Sequence, residues 1–246
     1  MRNESKQFLK AYLDNVSPTG FEYSGQKIWL DYLKPYVDEH FVDVYGTAVG
    51  VINPGKDYKV VLEAHADEIS WFVNYINDQG LIYLKRNGGV DHQIAPAKRV
   101  WIHGKKGPVK AVFGWPAIHT RLGNPDTKEP QPKVDNLCLD CGARTKKEVE
   151  DLGIHIGSVV TYEEGFDELA NGYYIGRAFD NRIGGFMILT NLCQGTIRKF
   201  LRKRWKECSV IGNPISLFKT YFKVCLHGRN ILKSVPYHHL IIYQRT

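Results

Sequence analysis

Between Lys59 and Ala64 the sequence reads K-V-V-L-E-A, a short apolar run ending at His65. Six residues are enough for a strand and too few for a helix, and apolar residues without strict alternation fit a strand covered on both faces. What precedes the run fixes its company. Phe8, Leu9, Tyr12, Leu13 and Val16 fall at helical spacing, so residues 4–15 read as an amphipathic helix, broken by Ser17-Pro18-Thr19-Gly20. A second helix is expected from about Glu22, burying Ile28, Trp29, Tyr32 and Leu33. Phe41 to Ile52 alternates, with Gly46 as a turn or kink. Helix, helix, strand, strand is the opening of an α/β layer fold.

From Glu68 to about Glu164 the pattern changes to short β-like runs: 69–76, 81–85, 99–103, 108–113, 137–140 and 159–162, punctuated by Gly, Pro, Asp and Asn. One helix interrupts them, opened by the capping-box pattern Thr145-Lys146-Lys147-Glu148 and closed by Gly153, and residues 126–132 read as a polar loop. A helix follows Asp180, with Ile183, Phe186, Met187 and Leu189 as its apolar face. The expected organisation is an α/β domain in two parts, 1–67 and 165–190, a β-rich insertion over 68–164, and a basic tail over 191–246 without clear period.

Charge separates the tail from the rest. From Asn191 to Thr246 there are eleven Lys and Arg against one acid, Glu207, while residues 1–190 hold 22 basic and 25 acidic side chains. The apolar content, 43%, is that of an ordinary globular chain, and no segment is apolar enough to span a bilayer. Five cysteines without a dense framework agree with a reducing compartment, and the expected location is the cytoplasm. Cys138-Leu139-Asp140-Cys141 lacks the second pair that a zinc ribbon needs, and reads as structural. Arg198, Lys199, Arg202, Lys203, Arg204 and Lys206 cluster, but a scattered basic stretch is a weak sign of a nucleic-acid or membrane site, and neither partner is expected.

Two constellations carry chemistry. His65 stands directly after the apolar run, with Asp67 two residues on. Ligands bind beyond the carboxyl ends of strands in open α/β sheets. An imidazole there suits a metal, with the carboxylate behind it fixing the tautomer. The alternative is a partly buried His satisfied by its neighbour. The second constellation is Gly176-Arg177-Ala178-Phe179-Asp180-Asn181-Arg182, where a strand gives way to a helix. Asp180 there is either a carboxylate able to bridge two cations or a helix cap. Arg182 reads as a surface charge or a partner for Asp180.

Taken in order, these motifs resemble the glutamyl/deblocking aminopeptidases, also called tetrahedral or cellulase M-like aminopeptidases. Pro18-Thr19-Gly20-Phe21-Glu22 is similar to the family's early turn, and His65-Ala66-Asp67-Glu68-Ile69 to its H-x-D-E-I strand end. Gly88-Gly89-Val90-Asp91, then residues 99–104, then Gly107-Pro108-Val109 are similar to its Gly-Gly turn and following strand pair. Residues 139–143, Gly153, Gly157, Asn171-Gly172-Tyr173 and 177–182 continue the match, which covers residues 1–190. The resemblance implies a zinc-peptidase-like α/β domain split by a β-rich insertion, a large homo-oligomer, two divalent metal ions (zinc or cobalt) and removal of N-terminal residues from peptide substrates. By position, His65 and Asp180 would be metal ligands, Asp180 bridging both ions, and Asp67 would orient His65.

The family also has a Glu-Glu pair, an Asp and a late His beyond the bridging carboxylate. Here no Asp and no Glu-Glu pair follows Asp180, Glu163-Glu164 lies before it, and His227, His238 and His239 match by residue type alone. The change of charge where the match stops points to altered coding, such as a frameshift, over a divergent module. The expectation is an incomplete catalytic domain that binds fewer ions and turns over little. The competing reading is a non-catalytic homologue retaining peptide binding or oligomerisation.

Overall fold

The computed structural model describes residues 1–55, 59–121, 130–193, 207–213 and 225–226. They form helices α1 (Asn3–Asp14), α2 (Tyr23–Leu33), α3 (Ile118–Arg121), α4 (Lys146–Asp151) and α5 (Phe179–Cys193). The strands are β1 (Glu39–Val42), β2 (Ala48–Ile52), β3 (Lys59–His65), β4 (Ser70–Ile76), β5 (Ile82–Asn87), β6 (Arg99–Gly104), β7 (Gly107–Gly114), β8 (Cys138–Asp140), β9 (Val159–Tyr162), β10 (Asp167–Glu168), β11 (Tyr174–Ile175), β12 (Glu207–Asn213) and β13 (Cys225–Leu226). Two compact units result, Met1–Glu68 with Gly165–Thr246, and Ile69–Glu164.

The first unit is an α/β layer. Its sheet runs β1-β2-β12-β3-β13, with β12 parallel to β3 and the other neighbours antiparallel. Helix α1 buries Phe8, Leu9, Tyr12 and Leu13, and α2 buries Trp29, Leu30 and Leu33, in one core with Phe186, Ile188, Leu189 and Leu192 of α5. Removing a large apolar side chain of this kind from water contributes about 1.5–3 kcal/mol. The Phe8 ring stacks on Tyr32 at 4.1 Å, and Trp29 Nε1 donates to Gly185 O at 3.1 Å. That bond requires a close approach, because a Cβ on Gly185 would stand 3.2 Å from both Trp29 Nε1 and Tyr12 Oη. A glycine inside a helix is unfavourable by roughly 1 kcal/mol against Ala, and at 185 it is what lets α5 lie against α1 and α2.

The lack of pattern expected beyond Asn191 does not hold throughout. Strand β12 sits in the middle of the sheet, with Cys208 opposite Ile52 on one side and Val60 on the other. A strand flanked on both edges reads as a short apolar run without alternation, so C-S-V-I-G gave no periodic signal. The basic cluster at 198–206 and His227, His238 and His239 lie outside the described residues, as does most of the polar loop at 126–132.

The second unit closes a six-stranded barrel in the order β4-β5-β8-β7-β6-β9. Closure removes sheet edges. Its interior holds Trp71, Val73, Ile82, Leu84, Val100, Ile102, Phe113 and Leu139, with Trp71 and Phe113 edge to face at 5.4 Å. Thr145 caps α4 by accepting from Glu148 N, and Gly153, at φ +89°, donates its N–H to Glu150 O beyond the helix end. Glu163 pairs with Arg99 and Lys110, and Glu164 with Lys98, so this Glu-Glu pair is spent on ion pairs within the barrel unit. Cys138 and Cys141 are free thiols. Among the described residues no helix is long and apolar enough to cross a membrane.

Candidate metal centre

Strand β3 delivers His65 at its carboxyl end. The chain then bends through Ala66 and Asp67, and Asp67 folds back so that its Oδ1 lies 2.8 Å from His65 Nδ1. Asp67 is 4% exposed. With a carboxylate as acceptor, Nδ1 carries the proton, and this hydrogen bond orients the ring so that Nε2 points away from Asp67.

What faces Nε2 is Asp180, whose Oδ1 is 3.4 Å away. The two residues are 115 positions apart in sequence. Asp180 lies at the entry to α5 with φ −89° and ψ 110°, and Asn181 is also non-helical, so the regular helix begins only afterwards. This entry turns the Asp180 carboxylate outward, with its side chain 76% exposed, while Asn181 and Arg182 are buried. Burial opposes a charge on His65, but the hydrogen bonds to Asp180 and Asp67 outweigh it and push its pKa up to about 9. That shift favours the charged imidazolium, with a carboxylate at each ring nitrogen.

The same geometry fits a divalent ion. Zinc bonds to imidazole nitrogen and carboxylate oxygen are about 2.0–2.2 Å, so two ligands of a tetrahedral ion stand about 3.3 Å apart. The observed separation of 3.4 Å matches that edge. An ion would replace the Nε2 proton, and Asp67 would keep Nδ1–H oriented. Among the described residues no group of three or more His, Cys, Asp or Glu is poised around one point, so they supply two ligands.

Arg182 is neither a surface charge nor a partner for Asp180. It is 0% exposed. Its Nη1 donates to Asn15 O at 2.8 Å and lies 3.7 Å from Glu68 Oε1, and its guanidinium lies over the Tyr12 ring at 4.5 Å. Arg177 Nε stands 3.1 Å from Glu68 Oε2. Glu68, 3% exposed, also accepts the Ser17 N–H at 2.8 Å. Burial pushes the Glu68 carboxyl up and the Arg182 guanidinium down, each opposed by the other's charge. This cluster joins the segment after His65 to the segment around Asp180. Sequence reasoning missed it, because three charged residues in two polar motifs carry no sign of burial.

The model of the M42 glutamyl aminopeptidase family matches residues 46–200. A lysyl aminopeptidase of Pyrococcus furiosus is 27% identical over 180 residues, covering 72% of this chain and 51% of its own length. The chain spans about half the length of the curated relatives it matches. A TET aminopeptidase from a marine sediment archaeon of the Thaumarchaeota superposes with a TM-score of 0.78 at 24% identity, over 85% of this chain and 58% of the other. The TET1 peptidase of Pyrococcus horikoshii, which assembles into a tetrahedron or a large octahedral shell, gives 0.71 at 20% identity, over 85% and 60%. At these identities the two structures show a shared fold, an α/β domain with an inserted β-rich domain.

Proposed function

The chain belongs to the M42 glutamyl aminopeptidase family, and from that premise we propose that it serves metal-dependent removal of N-terminal residues from peptides, with His65 and Asp180 as ligands and Asp67 as the orienting carboxylate. The observation that carries the reading is the 3.4 Å approach of His65 Nε2 to Asp180 Oδ1, with His65 Nδ1 held by Asp67. A bound divalent ion, zinc or cobalt, supplies Lewis acidity toward a peptide carbonyl and an activated water. The chain's own part is to hold and to orient. Asp67 would keep the imidazole in one tautomer, and Asp180 would present its exposed carboxylate to the ion. Glu68 is not available as a proton acceptor, since its oxygens face Ser17 N, Arg177 and Arg182. A homo-oligomer is part of the proposal, by likeness to the family.

For this chain we propose one bound ion and little turnover. Two divalent ions carry four positive charges, and a neutral His with one Asp does not balance them. Beyond Asp180 the sequence offers one acid, Glu207, and a dinuclear hydrolase needs further carboxylates and a general base. As a second reading, residues 1–246 by themselves retain peptide binding or assembly without catalysis. The test is release of free amino acid from short unblocked peptides by the purified chain, with zinc or cobalt titrated in and a chelated control. Turnover at the level of that control, with one ion bound per chain, is expected. Clear metal-dependent release with two ions per chain would overturn the one-ion account.

A further inference from the structure

The segment before α2 is strapped to the strand end that carries the candidate ligand. Pro18 and Glu68 form a parallel bridge, with Thr19 N donating to Glu68 O at 3.3 Å and Glu68 N to Ser17 O at 2.9 Å. Ser17, 0% exposed, adds Oγ to Ala66 O at 3.0 Å and N to Glu68 Oε1 at 2.8 Å. Three successive residues, 66 to 68, are thus held by Ser17 to Thr19. The last of these bonds is the informative one, because Thr19 Oγ1 donates to Asp67 Oδ2 at 2.6 Å.

Asp67 then has both oxygens assigned, Oδ1 to His65 Nδ1 and Oδ2 to Thr19 Oγ1. A carboxylate rotates about a broad, roughly twofold torsion, so one hydrogen bond to an imidazole leaves its plane free to swing. A second bond on the other oxygen removes that freedom. Hydrogen bonds to an ionised acceptor are short and about twice as strong as neutral ones, and Thr is restricted at χ1. The hydroxyl is therefore a rigid stop anchored to the same ladder that fixes the ligand strand.

We propose that Thr19 is a positioning residue of the centre, its hydroxyl locking Asp67 so that His65 Nε2 points where a divalent ion binds. The inference rests on the reading of His65 and Asp180 as metal ligands. Partners behind a metal-bound His typically control metal affinity by about 10- to 100-fold. Thr19→Val deletes the hydroxyl and keeps the shape, Thr19→Ser keeps the hydroxyl, and Thr19→Ala guards against a valine that does not fit. Each variant, made in residues 1–246, is titrated with Co2+ against a competing chelator and melted by circular dichroism. The expected result is Co2+ affinity lowered about tenfold or more in the Val and Ala variants and restored in the Ser variant, with melting temperatures close to wild type. Wild-type affinity in Val or Ala, while His65→Ala loses binding, overturns the role of Thr19 and leaves the ligand assignment intact. If His65→Ala and Asp180→Ala bind Co2+ as wild type does, the ligand reading fails and this inference falls with it. If the Ser variant falls with the Val variant, shape and not the hydroxyl is what matters, and the proposal is wrong.

Discussion

Replacing Glu68 by Gln removes one charge and almost no volume, which makes it a clean probe of the buried cluster. In the native protein the carboxylate stands between Arg177 Nε at 3.1 Å and Arg182 Nη1 at 3.7 Å, with side-chain exposures of 2%, 12% and 0% for Glu68, Arg177 and Arg182. Glutamine keeps an oxygen for Ser17 N–H, but its NH2 group then faces a guanidinium, donor against donor. Two arginine charges are left with no buried counter-charge from residue 68. Breaking a buried pair on one side costs about 3–5 kcal/mol, and the upper part of that range is expected because two cations lose one anion. The assay is hydrogen exchange of the α5 amides followed by mass spectrometry in a denaturant series, which reports the local opening free energy of this unit. Replacing Glu68, Arg177 and Arg182 together by apolar residues should recover part of the loss, since an apolar cluster of similar volume is often as stable as a buried ionic one. A Gln variant within about 1 kcal/mol of wild type, the size of a surface pair, would refute the reasoning that this cluster ties the two ligand segments together.

Gly185→Ala should destabilise the first unit by about 1–2 kcal/mol in urea unfolding, despite the gain in helix propensity, because the new methyl meets two ring systems that are each 1% exposed. Equal or greater stability would show that Trp29 and Tyr12 yield easily. Lys27 and Lys34 hold the Asp31 carboxyl down to about 2. A depressed carboxylate stabilises the fold above its ordinary pKa and ceases to as pH falls through its native one, so the Asp31 side-chain carbon should titrate near pH 2 by NMR and move up in Lys27→Gln. A midpoint near 4, the ordinary value, would contradict the ion pairs.

The α/β opening was legible because its signals are local. Phe8, Leu9, Tyr12 and Leu13 repeat at 3.6 residues, and all four are buried on α1. The run ending at His65 is a strand because six mostly apolar residues between turns fit little else. The hairpin around Gly46, whose φ is +83°, was legible from a glycine between two β-rich runs, but the expected alternation is not there, since β1 is exposed throughout and β2 buried throughout. Strand β12 escaped because a central strand needs no alternation, and its partners lie more than 140 positions back in β2 and β3. At the centre, His65, Asp67 and Asp180 were picked out as residue types able to bind or orient a cation. That His65 and Asp180 meet could be anticipated only from the order of motifs shared with a family. Thr19, Glu68 and Arg182 were visible as members of those motifs, but not as partners. Their roles depend on long-range contacts between a turn, a strand end and a helix entry, which no periodicity records. Arg182 illustrates the failure, since its guanidinium is buried where a carbonyl, a carboxylate and a ring converge on it, and sequence shows none of the three.

The claim that His65 and Asp180 share a divalent ion is tested most directly by anomalous diffraction at the zinc edge from crystals of residues 1–246 grown with zinc. The account predicts a peak within about 2.0–2.2 Å of both His65 Nε2 and an Asp180 carboxylate oxygen, with Asp67 still on Nδ1 and Thr19 on the far oxygen of Asp67. Zinc bound elsewhere, with His65 Nε2 still facing Asp180 directly, would contradict it.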